Sequence, residues 1–414
     1  MDSNNEIINN IREIYKTSPS NKIHQLIAKH FIPSIEEKKN NAEIPTPIIL
    51  VNEMLSKISE EFWTKPNKVF EPCYGKGNFV MKIFEKFYNG LTELYPDVHK
   101  RCKSIITECM YFADLTPLNV FITTEILKCE IQNKTKKNIK YKFNSYTGDT
   151  LTIDIKKVFG INYFDAVIGN PPYNSSGNTS TGNTIWQDFT HKSLDVLLDI
   201  NGLLLFVHPP GWRKPNTTKG KFYGMFEKMT QHNQMVYLEI HGIKDGQKIF
   251  RCGTRYDWYL IEHKPKYKNT IVIDERNISH NVNLTIFNWL PNFNIDMIHK
   301  ILTINNDEKN IIIYSPSLYE HRKKWMSHTK SDEYKYPCIH STPKSGIRYM
   351  YSNCNNKGHF GIPKVIFGEA GINDVVIDLE GKYGLTNGAI GIQIDNIDTG
   401  KKFLMLSKVK NLRV

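Results

Sequence analysis

Apolar residues fall along the chain in three textures. Over residues 1–40, Ile7, Ile8, Ile11, Ile14 and Tyr15, then Ile23, Leu26 and Ile27, recur at the spacing of one helix face. That spacing predicts short amphipathic helices, followed by a polar loop from Glu36 to Asn41. From about residue 66, short apolar runs alternate with amphipathic ones. "KVFEPCYGKGNF" reads as strand, Gly-rich turn and helix, and "CMYFADLTPLNVFITTEIL" repeats the pattern with a turn at Pro117. "YFDAVIGNPPY" is a third strand ending in a turn. "IWQDFTHKSLDVLLDI" is a helix with Ile185, Phe189, Leu194, Leu197 and Leu198 on one side, and "GLLLFVHPP" is a fourth strand. Strands alternating with helices predict βαβ units and a largely parallel sheet, hence an α/β fold. After about residue 265 the alternation stops. A polar, lysine-rich join, "HKPKYKNT", leads to strand-like pieces such as "NTIVID", "PKVIFG", "DVVIDL" and "AIGIQI". Residues 266–414 therefore read as a second, α+β or β-rich domain.

In parallel sheets ligands sit at the carboxyl ends of the strands, and the chemically loaded residues fall there. Glu71 to Gly77, "EPCYGKG", places two glycines two apart at a strand–helix turn, where backbone approaches a ligand closely. A plain tight turn accounts equally well for that pair. Asp114 ends the second strand, where a carboxylate can hold both hydroxyls of a ribose; capping the helix at Pro117 is the competing role. Asp149 in "YTGDTL" can accept a bond from an adenine amino group, or be an ordinary turn aspartate.

The stretch Asn170-Pro171-Pro172-Tyr173 is the sharpest signal. Two prolines can neither donate to a ladder nor continue a helix, so the chain stops on an amide and an aromatic ring. An aromatic amine is a poor nucleophile because its lone pair is delocalised. Two acceptors aimed at its N–H bonds, the Asn170 side-chain carbonyl and the Pro171 backbone carbonyl, draw that nitrogen toward tetrahedral geometry. Tyr173 can stack on the base, and the rigid Pro-Pro link keeps these groups in register. The following loop, Asn174 to Thr184, either closes over the base or is a plain surface loop.

Together these motifs resemble the S-adenosylmethionine-dependent N6-adenine DNA methyltransferases of type II restriction–modification systems. "EPCYGKGNF" is similar to the family's methionine-binding motif, "FADLTPLNV" to its ribose motif, "GDTL" to its adenine-amino motif, and "NPPY" to its catalytic motif. "EIPTPIILVNEML" resembles its Thr-Pro cofactor motif. The motif order matches the gamma arrangement, with target recognition at the C-terminus. The resemblance implies a Rossmann-like class I methyltransferase domain with a mostly parallel seven-stranded sheet. That domain, with the N-terminal helices, would occupy 1–265, and an α+β target-recognition domain that binds DNA would occupy 266–414. It implies S-adenosyl-L-methionine as cofactor, held by Thr46, Pro47, Glu71, Pro72, Gly75, Gly77, Asp114, Asp149 and Asn170. Catalysis would rest on Asn170, Pro171, Pro172 and Tyr173. Phe250, within "KIFRCGTRYDWYLIEH", would face the flipped base, with Tyr256 and Trp258 as alternatives and a core role for Phe250 as the competitor. Cys73 and Lys76 depart from the residues more common at their positions. The matching motifs cover about residues 42–262, and the similarity beyond them is looser.

Composition adds partners and exclusions. The 414-residue chain has 54 Lys+Arg against 42 Asp+Glu, a net +12 that suits a polyanionic partner such as nucleic acid and equally a lysine-rich proteome; the resemblance makes that partner double-stranded DNA. Arg322, Lys323 and Lys324 beside Trp325, and Lys344 and Arg348 beside Tyr349 and Tyr351, interleave cations with aromatics as DNA contacts do. Seven cysteines without a CxxC pair argue against a disulfide framework and a Cys-rich zinc site, so no metal is expected. The polar N-terminus is no signal peptide, and the longest apolar run, Leu203 to Val207, is too short to span a bilayer. The expectation is a cytoplasmic, DNA-associated protein, which the resemblance implies is a monomer, with any cognate restriction endonuclease a separate protein. Three rivals remain: a protein-glutamine N5 methyltransferase, an RNA adenine N6 methyltransferase, and a non-catalytic DNA-specificity subunit.

Overall fold

The computed structural model describes residues 2–19, 22–31, 44–137, 141–174, 184–214, 220–301, 312–313, 318–369 and 371–408. The expected loop Glu36–Asn41 and most of the loop after Tyr173 lie outside them. The chain divides into two compact units, Met1–Asp296 and Met297–Val414.

The first unit is built on one sheet of nine strands: β1 (Val69–Glu71), β2 (Met110–Asp114), β3 (Asn144–Thr147), β4 (Phe164–Gly169), β5 (Leu198–His208), β6 (Gln234–His241), β7 (Tyr256–Glu262), β8 (Thr270–Ile273) and β9 (Ser279–Val282). Their spatial order is β3-β2-β1-β4-β5-β7-β6-β8-β9. Strands β1 to β5 are mutually parallel, so all five carboxyl ends share one edge. Strand β7 runs antiparallel between β5 and β6. The strands bury both faces, as a sheet covered by crossover helices must: β1 and β2 are buried at every position. On one face Phe70 stacks on Phe164 at 4.6 Å between centroids. The helix Asn78–Gly90 buries Phe79, Val80, Met81, Ile83, Phe84 and Phe87. The helices Asp2–Thr17 and Ile23–His30 form where the periodicity placed them, with Ile11, Ile23 and Ile27 in the same core.

Two expectations change here. The sheet has nine strands rather than seven, because β8 adds in parallel to β6 and β9 turns back against β8. The division of the chain consequently falls after Asp296 rather than at 265. The lysine-rich join looks like a linker, yet its main chain is pinned: the buried Gln234 side-chain carbonyl accepts from the N–H groups of Tyr267 and Lys268 at 2.8 and 2.9 Å. Further on, Arg213 holds the main chain at 290–291. Its guanidinium donates to the Leu290 and Pro291 carbonyls at 3.1 Å each and to the Asp257 carboxylate at 2.7 Å.

The second unit carries β10 (Ile312–Ile313), β11 (Met326–Ser327), β12 (Tyr336–Ser341), β13 (Arg348–Ser352), β14 (Lys364–Gly368), β15 (Gly371–Asp378), β16 (Gly384–Leu385) and β17 (Ala389–Gln393), then a helix Ile397–Lys408. They form two four-stranded sheets, β10-β17-β14-β15 and β11-β13-β12-β16. Among the described residues of this unit, only the β12–β16 pair is parallel. Inside lies a fully buried ammonium, Lys364, which donates to Asp378 at 2.8 Å and to the carbonyls of His359 and Ile362 at 2.8 and 3.0 Å. This is the α+β, strand-rich texture that the sequence suggests.

Candidate functional site

A cavity of about 430 Å³ lies at the carboxyl edge of β1 to β4. Five stretches far apart in sequence line it: Ile44–Thr46, Glu71–Lys76, Asp114–Thr116, Gly148–Leu151 and Asn170–Asn174. Strands β1 to β4 each supply one of the last four at their carboxyl ends, and the first precedes the helix Ile48–Leu55.

The floor is acidic. Glu71 ends β1 and is 2% exposed, and burial together with the neighbouring Asp114 raises its pKa well above the usual carboxylate range. Asp114 ends β2 and accepts three hydrogen bonds. Its Oδ2 takes the Gly75 N–H at 2.9 Å, and its Oδ1 takes the Thr116 N–H at 2.8 Å and the Asn119 amide at 3.1 Å. Burial still raises its pKa, against these bonds and the charge of Lys76. Asp114 thus holds the turn before the helix Pro117–Thr135, whose N-cap position is Thr116, and also lines the cavity. Lys76 is buried and donates to Asn119 at 2.7 Å, which links a cation to the same network.

The glycine turn has a steric reason. Gly75 and Gly77 sit at φ of +54° and +84°, in the left-handed region that a side chain resists. A Cβ at Gly77 would meet the Thr123 side chain at 2.8 Å, so this glycine lets the loop close onto the helix Pro117–Thr135. Thr46 lines the cavity, and its carbonyl accepts from the Asn78 side chain at 2.8 Å. Asp149 lines the cavity while its Oδ1 caps the following turn, accepting from Leu151 N–H at 2.9 Å. Pro72 is held by the Thr150 hydroxyl, 2.6 Å from its carbonyl.

Asn170, Pro171, Pro172 and Tyr173 form the wall beyond β4. The Asn170 amide nitrogen donates to the Ile44 carbonyl at 3.3 Å, which fixes the side chain and leaves its oxygen as the unused group. Among the described residues, Asn170 Oδ1, Glu71 Oε2 and the hydroxyls of Tyr74 and Tyr173 are buried without a hydrogen-bond partner. Four such atoms around one cavity are unusual, because a buried polar group left unpaired costs about 1–3 kcal/mol. A bound polar ligand is the natural way to relieve that cost.

Some expected residues stand elsewhere. Phe250 does not line the cavity. It ends the helix Ile243–Phe250, is 7% exposed, and packs edge-to-face on Tyr256 at 4.9 Å. Pro47 and Gly77 also lie off the lining, Pro47 at the start of the helix Ile48–Leu55 and Gly77 at the start of Asn78–Gly90. The apolar wall opposite comes from Ile185 and Phe189, read in sequence only as one face of a helix. Their signal was the four-residue spacing from Ile185 to Phe189. Behind them Trp186 stacks on His208 at 3.9 Å, and His208 Nε2 accepts from the Tyr259 hydroxyl at 2.7 Å. In the second unit Arg322, Lys324, Lys344 and Arg348 are exposed, Arg322 is paired with Glu320, and Lys323 lies over the Trp325 ring at 5.8 Å. Among the described residues no cluster of His, Cys, Asp and Glu could hold a metal, and no helix is long and apolar enough to cross a membrane.

The strand order and a ligand cavity at the parallel carboxyl edge define a class I methyltransferase type of fold. Comparison with known proteins agrees. Residues 108–250 match the model of the Eco57I restriction-modification methylase family. An adenine-specific methylase of Mycoplasma pneumoniae, itself uncharacterised, is 27% identical over a match that covers 41% of this chain and 56% of that protein. The chain thus aligns with about half the length of that curated relative. Among solved structures, the type IIL restriction-modification enzyme MmeI in complex with DNA shares the fold over 94% of this chain and 67% of its own, at a TM-score of 0.55 and 10% identity. The type ISP enzyme LlaGI, bound to a DNA substrate mimic, covers 59% of this chain and 25% of its own at 0.44 and 13%. The likeness to restriction–modification adenine methyltransferases, drawn from the motifs, therefore holds.

Proposed function

We propose that the protein transfers a methyl group from S-adenosylmethionine to N6 of an adenine flipped out of double-stranded DNA. The observation that carries this reading is the unpartnered Asn170 Oδ1, fixed by its own amide and followed by two prolines, beside an acidic ligand cavity. The cavity fits the cofactor: the unpaired Glu71 Oε2 suits its ammonium, the Asp114 carboxylate its ribose hydroxyls, and Asp149 its adenine amino group. The bound cofactor supplies an electrophilic methyl on a sulfonium. The protein's part is to hold the target amine. Asn170 Oδ1 and the Pro171 carbonyl accept its two N–H bonds, which returns lone-pair density to the nitrogen. Tyr173 offers a stacking face worth about 1–3 kcal/mol, which offsets part of the few kcal/mol that flipping a base costs.

The second unit would read the target sequence and grip the phosphate backbone through Arg322, Lys323, Lys324, Lys344 and Arg348. On this reading the chain acts as a monomer in the cytoplasm, and a companion restriction endonuclease is a separate protein. The test is product identity across substrates. Label from S-adenosylmethionine should enter unmethylated DNA as N6-methyladenine. Label confined to RNA or to protein glutamine would instead assign the site to one of those amide or amine substrates.

A further inference from the structure

Two basic stretches of the second unit, around His321–His328 and His340–Arg348, meet at one end of the β11-β13-β12-β16 sheet. The register brings them there. Strand β11 pairs antiparallel with β13, Ser327 opposite Tyr351, so His328 continues toward the start of β13. That start, Arg348, lies opposite Ser341, directly after His340 in β12. Strand β16 runs parallel to β12, Leu385 beside Ile339, and delivers Thr386 and Asn387 to the same end. The rings of His321 and His340 stand 6.5 Å apart. His340 Nδ1 is 2.6 Å from the Thr386 hydroxyl, and His321 Nδ1 is 3.4 Å from Asn387 Oδ1.

Burial, and after it the charges of His321, His328 and Arg348, hold the His340 imidazole below its ordinary pKa. Among the acids of the neighbouring elements, Glu320 pairs with Arg322, Glu369 follows β14 with its main-chain N–H on the Gly388 carbonyl, and Asp332 and Glu333 are exposed between β11 and β12. Three imidazoles and a guanidinium drawn together repel one another once protonated, and an anion placed among them removes that repulsion. Lys344, exposed on the turn between β12 and β13, extends the cationic surface at this end.

We propose that this sheet end is a phosphodiester-backbone site, in which His321, His328, His340 and Arg348 seat DNA phosphates and make the affinity for duplex DNA depend on pH. The proposal rests on the reading of DNA as the substrate. Its sign is fixed: a bound phosphate favours the charged imidazole, so binding takes up protons and tightens as pH falls through the imidazole range. Each added phosphate contact also steepens the salt dependence by about 0.9 in log–log slope.

The experiment is anisotropy titration of a short labelled duplex with the full chain at about pH 6 and pH 8, over a salt series. The wild type is expected to bind about tenfold more tightly, and with a steeper salt slope, at the lower pH. The double variant His321→Gln/His328→Gln should lose most of that ratio, with an unchanged circular dichroism spectrum. His328→Arg, permanently charged, should bind at the higher pH more tightly than wild type does there. A wild-type ratio retained in the double variant overturns the proposal. So does a ratio near one in a protein that still labels adenine in DNA, and in that case the DNA reading survives. Absence of duplex binding at either pH, with label entering RNA or glutamine instead, overturns both.

Discussion

At the scale of single residues the site is a set of buried groups whose protonation and pairing the fold dictates. Asp114 shows this best. Its three donors, the Gly75 and Thr116 main chain and the Asn119 amide, orient both carboxylate oxygens before any ligand arrives. Asp114→Asn keeps the shape and removes the charge, so the dissociation constant for S-adenosylmethionine, measured by calorimetry, should rise about 10- to 100-fold, the span of one charge-assisted hydrogen bond. Most of these residues were legible in the sequence, because the glycine turn, the strand-ending acids and the Asn-Pro-Pro-Tyr stop are short local patterns. For Phe250 the sequence leaves the choice open, because an aromatic residue near a strand looks the same whether it faces a ligand or a core; it packs edge-to-face on Tyr256. The converse holds for Phe189, whose helical periodicity marked a buried face without showing that a cavity lies against it.

Among elements, the parallel strands were readable from their apolar runs and their Gly, Asp and Pro stops. Strand β3 was not, since "NSYT" carries no apolar signal and owes its place to pairing with β2 and to the Asn144 amide, which donates to the Met110 carbonyl at 3.2 Å. Strands β8 and β9 were assigned to the wrong side of the boundary because charge density around Lys264 to Lys268 hides the Gln234 clamp beneath it. The Arg213–Asp257 pair ties the turn after β5 to β7, and the same guanidinium reaches the main chain beyond β9. Both side chains are buried, and the Trp212 indole also donates to Asp257 at 3.0 Å. Arg213→Met would strand that carboxylate, and chemical denaturation should show a loss of about 3–5 kcal/mol. Asp257→Asn added to it should recover part of the loss, because the uncompensated charge is then gone.

For the whole molecule, stability should fall on the acid side through buried imidazoles. Burial pushes His208 down to about 3, and its Nδ1–H is committed to the Pro209 carbonyl, 2.9 Å away. His359 is likewise pushed down to about 4, and its Nδ1 accepts the Leu385 N–H at 3.2 Å. A histidine whose folded pKa lies below its unfolded value of about 6.5 stabilises fully above that pH. The contribution is lost as pH falls toward the folded value, by at most about 1.4 kcal/mol per pH unit for each group. The melting temperature should therefore drop between about pH 6.5 and pH 4, and His208→Phe should flatten that slope. A slope unchanged in the variant would mean that His208 is not a source of the acid sensitivity. The net charge of +12 acts on the same scale, and on DNA it should appear as strong salt dependence.

The most direct measurement of the central claim is single-turnover methyl transfer to adenine in DNA by wild type and Asn170→Ala, with cofactor affinity measured on the same samples. If Asn170 Oδ1 accepts the target amine, the variant should bind S-adenosylmethionine within a few-fold of wild type. It should form N6-methyladenine about 10²–10³-fold more slowly, the usual loss when one charge-directing hydrogen-bond partner is removed from a transition state. Equal rates at equal cofactor occupancy would contradict the account and take the amine away from Asn170.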